Sequence, residues 1–287
     1  MFLRDRQARG LAAGSLKFYR QKLTLLLDYC NRNGLQAVGD VSADSLRAWL
    51  LELAESHNPG GSHAAYRTMR ALLRWFEAEF EPDGWRNPVD RVKAPKVPTE
   101  LLDPADGAAI RAMLNACTPA TLTGARDRAL LLFLLDSGCR AAELLALNRG
   151  DYDPLTGKAA IRQGKGGKGR VVFIGRKTRR AMRQYLNQRQ DNAPALWVTV
   201  GRGRLTYAGL RSIMTRRARA AGVKPPALHG FRRLFALECL RGGMDVRTLQ
   251  AIMGHSSLTM LIRYTKLAAD DLQAAHDQAG PVDKLDW

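Results

Sequence analysis

Cysteine is scarce and scattered. Cys30, Cys117, Cys139 and Cys239 form no C-x-x-C pair. They read as free thiols of a reducing compartment, not as disulfides or zinc ligands. Long apolar runs are also missing. The longest, 129–135, is seven residues, where a membrane span needs roughly 20. No apolar h-region follows the N-terminal MFLRDRQARG, so no secretory signal is expected. There is no internal repeat and no low-complexity tract. Acidic residues are thin where basic ones are dense. Between 158 and 233 there are 20 basic residues and one acid, Asp191.

What is present is ordinary globular composition, 46% hydrophobic and 25% charged over 287 residues. That length suggests two domains at roughly 150 residues each. Lys plus Arg number 45 against 27 Asp plus Glu, a net charge of +18. Residues 1–95 carry 14 basic and 11 acidic side chains, so most of the excess lies beyond them. A one-signed block within a folded domain repels itself, and bound phosphates would offset it. A membrane surface is disfavoured, because the block falls in a mixed helix and strand stretch without an amphipathic basic helix.

Hydrophobic periodicity predicts helices in the N-terminal third. One runs from an N-cap at Ser15 to Gly34, with Leu16, Tyr19, Leu23, Leu26, Leu27 and Cys30 on one stripe. A second covers about 42–57, and a turn follows at 58–61. A third covers 62–80, stopped by Pro82, Asp83 and Gly84. The stretch RNPVDRVKAPKVPT (86–99) has a basic, proline-containing linker composition. Asp103 and Pro104 then open a helix to about Cys117. The run ending at Gly138 reads as a buried central helix, with a short one over 140–147. Residues 159–163 and 170–175 flank GKGGKG as a β-hairpin. Helices return at about 178–190, 206–221, 230–241, 246–253 and 257–267.

Five features could carry chemistry. Arg140 stands three residues before Glu143; alone, it reads as an exposed helical ion pair. Lys165 and Lys168 lie on the glycine-rich turn. That turn is not a phosphate loop of the G-x-x-x-x-G-K-[ST] type, since strand follows strand. Alone it reads as a solvated turn. His229 and Arg232 share a helix face and suit an anionic oxygen group. His255 falls at a joint between helices, after Gly254. Tyr264, alone, reads as a half-buried tyrosine with a bonded hydroxyl.

Taken in order, this set resembles the tyrosine recombinase (phage integrase) family. The matching stretches are SGCRAAELLALNRGD (137–151), IRQGKGGKGRVVFIG (161–175) and LHGFRRLFALECLRGGMDVRTLQAIMGHSSLTMLIRYTK (228–266). RNPVDRVKAPK likewise resembles the approach to the catalytic domain. Leu234, the pair Leu237-Glu238 and the pair Met260-Leu261 depart from common family residues, which bears on subfamily, not on catalytic positions.

The resemblance implies a mainly α fold with a small β-sheet (α+β). A helical, SAM-like core-binding domain (1–90) and a basic linker (91–102) would precede a mixed α/β catalytic domain (103–287). The two domains would form a C-shaped clamp on the duplex, in a simple Xer-like architecture. The tail (270–287) is a candidate for exchange between subunits. Arg140 and Arg232 would clamp the scissile phosphate, and Tyr264 would be the nucleophile. His255 would donate to a non-bridging oxygen, and His229 would assist proton transfer. Lys165 would be the general acid, with Lys168 as rival. Glu143 would steady the arginine helix. Lys93, Lys96, Lys168 and Arg170 would contact DNA.

The implied activity is site-specific cleavage and rejoining of DNA through a 3′-phosphotyrosine link. It needs neither metal nor ATP nor any other cofactor. Implied partners are double-stranded DNA and a homo-tetramer on synapsed sites, with a partner recombinase as a further option and no membrane. The expected location is the cytoplasm, at the nucleoid. The competing classes are a type IB topoisomerase-like relaxing enzyme and a non-catalytic DNA-binding protein on the same scaffold.

Overall fold

A computed structural model describes residues 1–98, 103–162, 169–201 and 203–254. The chain divides into two compact units, Met1–Glu100 and Leu101–Trp287. The described residues are mostly helical with one two-stranded antiparallel sheet, the mainly α architecture with a small sheet.

Four helices build the first unit: α1 (Phe2–Ala8), α2 (Ala13–Arg32), α3 (Ala43–Ser56) and α4 (Pro59–Phe80). Helix α1 escapes sequence pattern because it is short. Phe2 anchors it, packing edge-on against Tyr19 of α2 and Trp75 of α4. Helix α2 starts before the predicted Ser15, at an Ala12 cap without a side-chain bond. Its stripe is also rotated: Tyr29 is buried while Leu27 is exposed. Ser42 caps α3 by accepting from the Ser45 amide. The turn predicted at 58–61 contracts to Asn58. Its side chain accepts from the Gly61 amide, and Pro59 takes the first helical position.

The predicted linker composition is misleading over 86–95. Val89 and Val92 enter the first unit's core beside Leu46, Trp49 and Met69. The Tyr66 hydroxyl donates to the Val92 carbonyl at 2.8 Å. Val89, in the short 3-10 turn Pro88–Arg91, and Val92 just after it dock the strap. Lys93 and Lys96 project from it, exposed.

The second unit comprises α5 (Gly107–Asn115), α6 (Leu122–Ser137), α7 (Ala141–Ala146), β1 (Lys158–Ile161), β2 (Arg170–Phe173), α8 (Arg176–Asn187), α9 (Tyr207–Ala220), α10 (Leu228–Arg241) and α11 (Val246–Met253). Helix α5 begins later than Asp103-Pro104 suggested, because Asp106 provides the cap. Residues 103–106 instead form a strap, in which the Ala105 amide donates to the Gly230 carbonyl at 3.0 Å. Helix α6 is the centre, as its apolar run predicts. Ala129, Leu130, Leu131, Phe133 and Leu134 are buried, and α6 packs against α8 and α10. The sheet pairs Lys158 with Phe173 and Ile161 with Arg170. All four cysteines are free. No described helix is long and apolar enough to cross a membrane. The predicted helix over 257–267 and the tail lie outside the described residues.

Candidate active site

The site is built where α6 ends. Gly138 adopts φ +58, a left-handed cap that glycine reaches without strain. A Cβ there would stand 2.2 Å from the Phe235 ring of α10. Glycine therefore serves both the turn and the close approach of α10. The chain turns through Cys139 into α7, whose N-cap residue is Arg140.

Glu143, at the third position of α7, reaches back to its own helix start. Its Oε2 accepts the Arg140 amide at 2.8 Å, and its Oε1 accepts Arg140 Nη1 at 2.7 Å. Arg170 approaches from β2 and makes a two-pronged pair, Nη1 to Oε1 at 2.9 Å and Nη2 to Oε2 at 2.7 Å. The Glu143 side chain is only 5% exposed. Burial would raise its pKa. Arg170 and Arg140 override that and hold the carboxyl at about 2.

Arg232, in the first turns of α10, is buried. Nη1 donates to the Gly138 carbonyl at 2.5 Å and Nη2 to the Met253 carbonyl at 2.7 Å. Its Nε finds no acceptor among the described residues. Burial, then the charges of Arg140 and Arg170, lower its pKa to about 10. It remains protonated at neutral pH, and its charge is under-compensated. His229 lies one turn before it on the rim. Desolvation, followed by Arg233, Arg232 and Arg140, lowers the imidazole pKa. A largely neutral ring follows, able to accept or donate one proton.

The end of α11 closes this group. Ile252 O accepts from Arg170 Nε at 2.9 Å, Met253 O from Arg232, and Gly254 O from Arg140 Nη2 at a long 3.5 Å. Three arginines from three elements thus meet three consecutive carbonyls, where helical carbonyls lack partners of their own and the dipole is negative. Three guanidiniums against one carboxylate leave an excess of positive charge, which suits a phosphate. No group of three or more His, Cys, Asp or Glu able to hold a metal occurs among the described residues.

Arg140, Glu143, His229 and Arg232 are therefore brought together. Lys165, Lys168, His255 and Tyr264 lie outside the described residues. One expectation is corrected. Arg170, expected at DNA, directs all three guanidinium nitrogens into the protein, and its side chain is 10% exposed. Strand alternation carried the signal, since Arg170 shares a face with buried Val172. The basic block is also partly offset within the protein. Buried Asp127 takes Arg126, Arg216 and Arg217, and Asp191 takes Arg189. Exposed cations nevertheless remain, among them Arg180, Arg183, Arg211 and Arg219.

A mixed α/β unit with clustered, preorganised arginines and a histidine beside them suits an enzyme that acts on phosphate. The phage integrase family model matches residues 106–270. The tyrosine recombinase XerA of Thermococcus kodakarensis is 32% identical over 260 residues, spanning 90% of this chain and 89% of that protein. XerC 2 of Ralstonia nicotianae is 29% identical over 95% of this chain and 82% of its own. Among solved structures, a XerH site-specific recombinase bound to palindromic difH substrate superposes with TM-score 0.75. It has 18% identity, and the match covers 97% of this chain and 82% of that one. A lambda integrase dimer bound to a COC′ core site gives TM-score 0.73 at 17% identity, covering 92% and 74%. The chain belongs to the phage integrase family, the tyrosine recombinases, and is an enzyme of site-specific DNA recombination.

Proposed function

We propose that this chain binds a duplex recombination site and cuts one strand through Tyr264. The tyrosine oxygen, its proton passing to His229, bonds to the scissile phosphorus as the bond to the 5′-oxygen breaks. A proton passes to that oxygen from Lys165, or from its rival Lys168. The products are a 3′-phosphotyrosine link and a 5′-hydroxyl. Attack by a 5′-hydroxyl from another strand reverses the step, so no ATP is consumed.

The observation that carries this reading is Arg140 held by Glu143, Arg232 held by the Gly138 and Met253 carbonyls, and His229 at the rim. Preorganised cations of this kind stabilise the added charge on a phosphorane-like transition state by several kcal/mol. A tyrosine with an ordinary pKa near 10 needs such help, or a base, to attack. In this reading His255 donates to a non-bridging oxygen and His229 moves a proton. Residues 1–90 and the catalytic residues 103–287 both bind the duplex. Lys93 and Lys96 meet the backbone from the connecting stretch 91–102.

Paired cuts on two duplexes call for a tetramer. A tetramer is the form named for a lambda integrase bound to a Holliday junction. A second recombinase type is a further partner, and the nucleoid is the working location. The exposed cations of the second unit make binding strongly salt-dependent.

The test is covalent trapping. A pool of nicked suicide duplexes with randomised cores is incubated with the protein in EDTA, then denatured. A protein–DNA adduct mapping to Tyr264, absent in Tyr264→Phe although that variant still binds DNA, is expected. The trapped sequences define the site. Binding without any adduct, with candidate partner recombinases added, would overturn the catalytic reading. Relaxation of supercoiled DNA lacking the trapped site would replace it with the topoisomerase-like one.

A further inference from the structure

Arg170 is the one cation of the site cluster that the reaction above does not use. It is also the most thoroughly bonded. Two of its nitrogens hold Glu143 and the third holds the Ile252 carbonyl, across 27 and 82 residues of sequence. Glu143 in turn holds both the amide and the guanidinium of Arg140. Arg170 thus bonds both the α7 carboxylate and the end of α11 at ordinary hydrogen-bond distances, whereas Arg140 reaches the end of α11 only through its long 3.5 Å contact with the Gly254 carbonyl. Gly254 records how closely it passes: a Cβ there would meet Arg170 Cδ at 2.9 Å.

We infer that Arg170 is a positioning residue for strand cleavage, fixing Glu143, and through it Arg140, against the end of α11. The inference rests on the phosphate-clamp role proposed for Arg140. The geometry suits arginine alone. A carboxylate takes two parallel N–H donors from one guanidinium, and Nε remains free to serve a backbone carbonyl on the other side. Lysine keeps the charge but cannot span both contacts. Direct DNA contact is not its role, because the side chain is enclosed and all three nitrogens are engaged.

The groups facing Glu143 are Arg140 from its own helix start, Arg170 from β2, Arg232 from α10 and the Cys139 thiol. Burial raises the Glu143 pKa, and the Arg170 bond opposes it most strongly. Without Arg170, burial persists and the carboxyl titrates at higher pH. Once protonated it no longer holds Arg140 as an ion pair.

The experiment uses the full chain and the duplex trapped from the wild type. Single-turnover adduct formation, equilibrium binding and salt slope are compared for wild type, R170Q, R170K, E143Q and R170Q/E143Q. We expect R170Q to slow adduct formation roughly 100-fold, as small misplacements of catalytic groups do. Affinity and salt slope should stay unchanged. The double variant should be no slower than E143Q, since both act through one contact. R170Q should gain an acidic limb, its rate falling further behind wild type as pH falls. E143Q should show no such limb. R170K should lie between wild type and R170Q.

A salt slope reduced by about one in R170Q would make Arg170 a phosphate contact and overturn the inference. Additive losses in the double variant, or a wild-type rate in R170Q, would overturn it too. If R170Q does not fold by circular dichroism, R170K carries the same comparisons. If the wild type itself forms no adduct, the proposed function fails separately, and hydrogen exchange at the Arg140 amide decides. Faster exchange in R170K with unchanged melting supports the positioning role, and unchanged exchange rejects it.

Discussion

Arg232 donates through Nη2 to the carbonyl of Met253, 2.7 Å away, tying the guanidinium of α10 to the last turn of α11. The same side chain holds the Gly138 carbonyl at the end of α6. One buried cation thus joins three helices.

Arg232→Lys keeps the charge but cannot serve both carbonyls. Covalent adduct formation is expected to fall by about 10²–10³-fold, the scale of losing one preorganised donor. DNA affinity should change far less, because many phosphate contacts share it. Filter binding beside single-turnover trapping measures both. Equal losses in rate and affinity would contradict a role at the transition state.

Glu143 predicts how stability follows pH. Its carboxyl stands at about 2 in the folded chain against an ordinary 4.5. A depressed folded pKa contributes stability that is complete above the ordinary value. That contribution is lost as pH falls from there towards 2. Its size is on the order of 3 kcal/mol. Glu143→Gln should be less stable than wild type at neutral pH, and the gap should narrow below about pH 4. Urea unfolding across pH measures the gap, and a constant gap would reject the assignment.

Asp127 is fully buried and accepts from Arg126, Arg216 and Arg217. Asp127→Asn removes the carboxylate that pairs with all three guanidiniums and sets an amide N–H beside them. A loss of about 3–5 kcal/mol is expected, the range for breaking a buried charge group on one side. Chemical denaturation measures it. A loss under about 1 kcal/mol, typical of an exposed pair, would contradict the burial.

Gly138→Ala should destabilise the second unit. The left-handed conformation costs roughly 1–2 kcal/mol with a Cβ, and the Phe235 ring occupies the space the methyl needs. Phe235→Ala in the same chain should recover part of the loss, a non-additive pair. Thermal unfolding of the single and double variants checks this; simple additivity would mean the two do not meet.

Much of the fold is legible along the chain. The apolar run over 129–135 announces the central helix, and alternation flanking GKGGKG announces the hairpin strands. Elements whose existence depends on a distant partner were missed. Helix α1 needs Tyr19 and Trp75 to hold Phe2, and the valines of a linker-like stretch need the first unit's core. Of the site, Arg140, Glu143, His229 and Arg232 were legible because family-like order and spacing accompany them. The inward role of Arg170 was not, because charge alone suggested an outward one.

The sequence by itself determined the kinds of element and the chemistry available. Helical period, turn residues and the order of arginine, histidine and tyrosine are local properties, readable within a few residues. Only the tertiary structure decided which cations serve the protein. Glu143 meets Arg170 across 27 residues, Asp127 meets Arg217 across 90, and Gly138 meets Arg232 across 94. A guanidinium looks the same in sequence wherever it ends up. Burial and the nearest unpaired acceptor assign its role, and both exist only once the chain has closed those distances.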